Sequence, residues 1–264
     1  MTVSPDLFAA LPEPECLHPA LWRAHQLGRE QQQPAVASGF AELDAELPGG
    51  GWPARALTEL LLPHPGVGEL RLLAPALAAV QGGGRSVLLF EPPARPQAGT
   101  LAALGLDLGH LLLVQGRAAA GGAAAAPLPA ADLLWALEQA LKCGHAGALL
   151  AWLPPRLPPE ALRRLQLAAQ AHDGPAFVLR AQAALARPSA APLRLRLAAA
   201  GPDELALHLV KRRGPPLAQP LRLALPPALS APARERALRL AAEQAAAALP
   251  PALKTRPRAA SASS

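Results

Sequence analysis

Aromatic side chains are scarce in this chain of 264 residues, which has four Trp, four Phe and no Tyr. Stacking of bases on aromatic platforms is a main device of single-strand nucleic-acid binding, so the composition does not favour a stacking groove. Cysteine is scarcer. Cys16 and Cys143 stand far apart, with no CxxC and no Cys/His ligand spacing, and they read as two reduced, semi-buried side chains rather than a disulfide or zinc site. The seven histidines are scattered singly and none pairs at i, i+4, so no metal site is expected; separately, no cofactor is expected. No uncharged apolar run reaches the roughly 18 residues that a membrane span needs. The start of the chain lacks the basic residues and apolar run of a signal peptide, so the expected location is the cytoplasm.

What is present is a large apolar fraction, 51%, which is enough for a sizeable core. The formal net charge is +6. Its excess falls late, at Arg194, Arg196, Lys211, Arg212, Arg213 and Arg222 and then in the tail at Lys254, Arg256 and Arg258. A basic final third points to an acidic partner, nucleic acid or an acidic protein face. A solvated basic surface accounts for it equally well.

Along the chain, residues 1–16 are Pro-rich, and Leu17–Glu30 has helical spacing with Leu17, Leu21 and Leu27 on one side. Ser38 is a candidate N-cap for Gly39–Leu47, and Pro48–Gly51 turns the chain. Continuous apolar strands then alternate with helical patterns. Strands are expected at Ala56–Leu62, Ser86–Phe90, Leu111–Val114, Gly147–Trp152 and Ala176–Leu179. Helices are expected at Gly68–Gln81, Gln97–Leu104, Asp132–Lys142 and Pro159–Ala171, with Asp132 as a cap. The Ala/Gly-rich stretch Arg117–Ala131 reads as a loop. This order predicts a parallel sheet covered by helices on both faces. After Ala190 the period changes to 2. Leu193–Leu197 and Leu205–Val210 predict an antiparallel hairpin with one wet face, on which Arg194 and Arg196 would sit. Ala231–Leu249 reads as an Ala-rich helix followed by a disordered basic tail. The resulting division is 1–37, an N-terminal helix and linker; 38–226, the α/β core; and 227–264, a C-terminal helix and tail.

The strand–glycine turn–helix junction at Leu62–Leu70 is where a P-loop belongs. A phosphate grip there needs glycine-freed backbone N–H groups, a Lys for the β- and γ-phosphates and a Ser/Thr hydroxyl for Mg²⁺. Gly66 and Gly68 are in place, but Glu69 stands at the Lys position and Leu70 at the hydroxyl position. An acid facing a triphosphate is repulsive. An acid in the first turn of a helix is also ordinary capping by the dipole.

The ordered set Ser38–Asp44, Pro48-Gly49-Gly50-Gly51-Trp52-Pro53 and Leu57-Thr58-Glu59-Leu60 resembles the entry to the RecA recombinase core. Gly105-Leu106-Asp107, Leu111–Gln115 and Val210–Gly214 continue that resemblance. In detail the chain is most similar to ImuA, the RecA-related family of bacterial translesion-synthesis operons. That similarity rests on Leu21-Trp22-Arg23, Glu46–Pro53, Leu57–Leu61, Gly66–Leu73 and Lys211–Pro216, and it covers about residues 15–225.

The resemblance implies a RecA-like fold with a degenerate nucleotide loop at Gly66, Gly68, Glu69 and Leu70. Trp152 would stand near the position of the metal-holding Asp, and Glu91 or, in the better register, Pro93 near that of the water-activating Glu. With Lys, hydroxyl and Asp missing together, no ATPase activity is expected. The resemblance further implies work with an ImuB-like polymerase relative and an error-prone polymerase subunit in damage-induced mutagenesis, at the nucleoid when DNA is damaged. RecA itself is a further partner it would admit. A SulA-like inhibitor of cell division, also RecA-like without a P-loop, is the alternative.

Partner contacts are expected at Leu17, Leu21 and Trp22 of the first helix and at Arg234, Arg236 and Arg239 of the last. Weak, sequence-independent DNA binding is expected at Lys211, Arg212 and Arg213, reinforced by Arg194 and Arg196. Trp52, Trp135 and Trp152 read as core or interface anchors rather than stacking platforms.

Overall fold

The computed structural model describes residues 34–116, 126–158 and 160–227, together with residues 232, 235, 236 and 239. Its elements in order are β1 (Ala35–Val36), α1 (Ala41–Glu46), β2 (Trp52–Pro53), β3 (Leu57–Leu62), α2 (Glu69–Gly82), β4 (Ser86–Phe90), α3 (Ala98–Ala103), β5 (Leu111–Val114) and α4 (Ala130–Lys142). There follow β6 (Ala146–Trp152), α5 (Ala161–Ala169), β7 (Ala176–Ala181), β8 (Leu193–Gly201), β9 (Glu204–Lys211) and β10 (Leu221–Ala224). Strands β3 to β10 form one eight-stranded sheet in the order β10-β9-β8-β3-β7-β6-β4-β5, and β1 pairs with β2 apart from it. The run from β8 to β5 is parallel throughout, while β9 is antiparallel to both β8 and β10. The protein is thus an α/β fold with a mostly parallel sheet and a late antiparallel hairpin, flanked by helices.

Two apolar layers account for the continuous hydrophobic runs of the central strands, because a parallel sheet covered on both faces needs apolar residues on both. One layer packs α1, α2 and Leu101 of α3 onto the sheet, with Leu43, Leu72, Leu77, Leu60, Leu150 and Phe177 among its members. The other packs α4 and α5 onto the opposite face, through Leu133, Leu137, Leu141, Leu162 and Leu165 against Leu149 and Val178. In α4 the buried residues Leu133, Leu134, Leu137 and Leu141 recur at helical spacing. Trp135, on the other side, is 64% exposed, so it is no core anchor. Trp52 is one: it is fully buried, and its ring meets Phe177 edge-on with centroids 5.2 Å apart.

Several local expectations need correction. Helix α4 begins at Ala130 behind Pro129, so Asp132 lies in its first turn and does not cap it. Helix α1 begins at Ala41 with Phe40 at the cap position. Ser38 stands two residues earlier, fully buried, with its Oγ accepting the Phe40 N–H at 3.1 Å while Asp44 Oδ1 accepts the Ser38 N–H at 2.8 Å. β10 was not anticipated, so the hairpin is the start of a three-stranded antiparallel flank. Cys143 is exposed. No helix among the described residues is long and apolar enough to cross a membrane.

Candidate functional site at the carboxyl ends of the parallel strands

β3 occupies the middle of the sheet, between β7 and β8, and runs through its turn directly into α2. In open α/β sheets, ligands bind outside the carboxyl ends of the strands, where connections diverge to either side. Here the connection from β3 leads to β4 on one side, and β8 lies on the other. At this edge the protein has a cleft of about 480 Å³, lined by the ends of β3, β4, β6 and β7 and by the loops that follow them. His64, Glu91, Trp152 and Arg180 are its polar or aromatic members; Leu62, Leu133, Leu153, Leu179 and several prolines supply the rest.

The turn between β3 and α2 depends on its glycines. Gly66 and Gly68 have φ of 82° and 124°, a region in which a side chain would be strained. The amides so presented already have a ligand. Glu69, the first residue of α2 and only 3% exposed, folds its carboxylate back over the turn. Its Oε1 accepts the Gly66 N–H at 2.8 Å and its Oε2 accepts the Gly68 N–H at 3.1 Å. A nest of backbone amides at a helix N-terminus is an anion seat, and this seat holds the protein's own anion. The sequence suggests either an acid repelling a triphosphate or an acid capping a helix, and the geometry is the second. Leu70, half-buried, packs against the α1/α2 apolar layer and brings no hydroxyl.

Trp152 ends β6 half-buried at the cleft, with its indole Nε1 enclosed and without a hydrogen-bond partner. Glu91 follows β4 with φ of 50°, a strained value for a residue with a side chain. Its N–H donates to Val114 O at 2.8 Å, and its Oε1 accepts the Gly116 N–H at 2.7 Å. This carboxylate therefore braces the segment after β5. Glu91 is the only carboxylate among the described cleft-lining residues, which include no lysine and no side-chain hydroxyl. Among the described residues there is also no cluster of His, Cys, Asp or Glu suited to a metal.

The basic candidates separate into different environments. Arg194, expected on a wet face, is buried. It points to the face of the sheet opposite Leu193 and Leu195, where the turn Gln182–Ala186 after β7 covers it and Ala184 O accepts from its Nη2 at 3.2 Å. Its Nε donates to Glu59 Oε2 at 2.6 Å, so it is not available to a phosphate. Arg196 is half-buried and donates to His208 Nε2 at 2.9 Å, an acceptor only while that ring is neutral. Partial burial and then the Arg196 charge hold the His208 pKa below its ordinary value.

Arg212 ties the end of β9 to the C-terminus of α1, donating to Glu46 Oε2 at 2.7 Å and to the Glu46 carbonyl. Lys211 and Arg213 remain exposed, although the Lys211 ammonium reaches Ser189 O at 3.1 Å. The chain divides between Leu225 and Pro226. In the later unit Arg236 and Arg239 are exposed, and Arg239 pairs with Glu235 at 2.9 Å. Leu17, Leu21, Trp22 and Arg234 lie outside the described residues.

Sequence reasoning missed Glu59 and Arg180. Both are buried in the strands, where an Arg and a Glu within apolar runs were the available signal. Compared with known proteins, the chain matches no family model and no curated protein.

Proposed function

We propose that this chain is a non-catalytic, RecA-like accessory protein of translesion DNA synthesis, of the ImuA kind, whose nucleotide seat has become a structural cap. The observation that carries this reading is the Glu69 carboxylate on the amides of Gly66 and Gly68. A strand–glycine turn–helix unit at the carboxyl edge of a central parallel strand is the layout of a P-loop. In this chain it retains the backbone device while an internal acid takes the place of the phosphate. Leu70 and Trp152 replace the hydroxyl and the metal-binding acid, so neither charge neutralisation nor Mg²⁺ is provided for phosphoryl transfer. Such a domain acts through its surfaces. The partners in this reading are an ImuB-like polymerase relative and an error-prone polymerase subunit, with DNA bound weakly through Lys211 and Arg213.

The experiment is complementation. Cells lacking the gene should lose damage-induced mutagenesis while their division arrest after damage is unchanged. The parent chain should restore mutagenesis. Trp22→Ala should fail to restore it and fail to retain the ImuB-like protein in co-purification. Loss of division arrest instead, with mutagenesis intact, would overturn the reading in favour of a division inhibitor.

A further inference from the structure

Beneath the cleft, one carboxylate stands between two guanidinium groups. Glu59 of β3 is fully buried. It accepts Arg180 Nη1 of β7 at 2.9 Å and Arg194 Nε of β8 at 2.6 Å, and the two arginine side chains are 5% and 8% exposed. The register explains the meeting, since Glu59 lies beside Val178 on β7 and Arg194 on β8, and Arg180 is the next residue of β7 on the same face. The cluster carries one surplus positive charge, and among the described residues neither arginine has a second carboxylate at ion-pair distance. An unmatched buried charge is unfavourable unless something pairs with it. Arg180 lines the cleft, and its Nε is enclosed without a hydrogen-bond partner. Trp152 lines the same cleft, and its indole Nε1 is likewise enclosed and without a partner. A cavity of this size, mostly apolar and with a few convergent polar groups, has the form of a small-molecule site.

We propose that the cleft binds a small organic monoanion, a carboxylate on an apolar or aromatic body, with Arg180 as its counter-ion and Trp152 as part of the wall against its body. A single surplus charge matches a monoanion. Multiply charged phosphates are disfavoured, because Glu91 lines the same cleft and the glycine turn beside it is filled by Glu69. The apolar lining of leucines and prolines calls for an apolar body. This inference goes beyond the proposed function and does not rest on it: the site would bind a metabolite whether or not the protein serves translesion synthesis.

The test is nuclear magnetic resonance of the tryptophan indole N–H groups in the full chain, with Trp152 assigned by its loss in Trp152→Phe. Phenylacetate is the probe, phenethylamine the cation of the same shape, and inorganic phosphate the anion without a body. Phenylacetate should shift the Trp152 signal saturably while the signal of Trp52, on the core ring of Phe177, stays in place. Phenethylamine and phosphate should each bind weaker by roughly tenfold or more. Arg180→Met should lose at least roughly tenfold in affinity. It should fold, because it leaves a matched Glu59–Arg194 pair, and an unmoved Trp52 signal reports that. Ala181→Phe, which narrows the cleft without touching the arginines, should also abolish binding. A Trp152 signal indifferent to phenylacetate, equal shifts with phosphate or phenethylamine, or undiminished binding in Ala181→Phe would each overturn the proposal.

Discussion

Glu59 and Glu69 lie ten residues apart in sequence, one in β3 and one just past it, and both are buried, but their charges are met in opposite ways. Glu69 is satisfied by neutral backbone dipoles, two amides of its own turn, and the group they form is closed to outside anions. Glu59 is satisfied by two cations and leaves one of them in excess beside an open cleft. Burying a carboxylate is therefore not in itself a sign of a dead site. The difference lies in what the partner retains. An amide that has donated has nothing further to give, whereas a guanidinium shared between one acid and a cavity keeps both charge and donors.

Removing the Glu59 charge breaks the comparison most severely. Glu59→Gln leaves two buried arginines facing each other and should cost about 3–5 kcal/mol, read from the midpoint of urea unfolding at constant m-value. Arg180→Met sharpens it. By restoring a one-to-one pair it should change stability by less than about 1 kcal/mol or raise it, although it deletes the same ion-pair contact. Equal losses in the two variants would mean that the cluster is not governed by its surplus charge.

His172 shows burial with neither device. It is fully buried, and neither ring nitrogen has a hydrogen-bond partner. Burial, and then the charge of Arg85, hold its pKa down at about 4, against an opposing pull from Asp173. The unfolded chain takes up this proton near pH 6.5 and the folded one only near pH 4. Between those values the unfolded state binds more protons. Stability from this residue is thus complete above about pH 6.5 and is lost as pH falls toward 4, by on the order of 3 kcal/mol. His172→Leu should flatten that part of the stability–pH curve.

Much of the sheet was legible because its strands are short continuous apolar runs between glycines and helical patterns, as at Ser86–Phe90 and Ala146–Trp152. β10 was not, because four residues, Leu221–Ala224, follow Pro215, Pro216 and Pro220 and carry too little periodicity to stand out. Alternation correctly put Arg194 and Arg196 on one face of β8, opposite Leu193 and Leu195. It could not say what covers that face: the turn after β7 encloses Arg194 and stops short of burying Arg196. An acid at the start of α2 is visible in the sequence, and so is its conflict with a phosphate. That its two oxygens return to Gly66 and Gly68 depends on a turn conformation that residue type alone does not specify. The Glu59 cluster joins residues 121 and 135 positions apart, beyond the reach of any local pattern.

Smaller effects belong to the exposed end of the same scale. Lys211 and Arg213 are the two solvent-facing cations of their run, whereas Arg212 is engaged with Glu46. DNA affinity should therefore fall with salt at a log–log slope of about −2, reduced by about 1 for each of Lys211→Ala and Arg213→Ala. Arg212→Ala should leave the slope alone and cost up to about 1 kcal/mol in stability. A slope that responds to Arg212 and not to its neighbours would reverse this assignment.

Who occupies the glycine turn is asked directly by calorimetry with Mg·ATP. The parent chain should show no saturable heat and no turnover. Glu69→Ala, which frees the amides of Gly66 and Gly68 at a cost of about 1–3 kcal/mol in stability, should gain weak binding of inorganic phosphate at the turn. It should remain without ATPase activity, because Leu70 and Trp152 still supply no metal ligand. Micromolar affinity of the parent for Mg·ATP, or hydrolysis by either chain, would contradict the claim that the seat is filled from within.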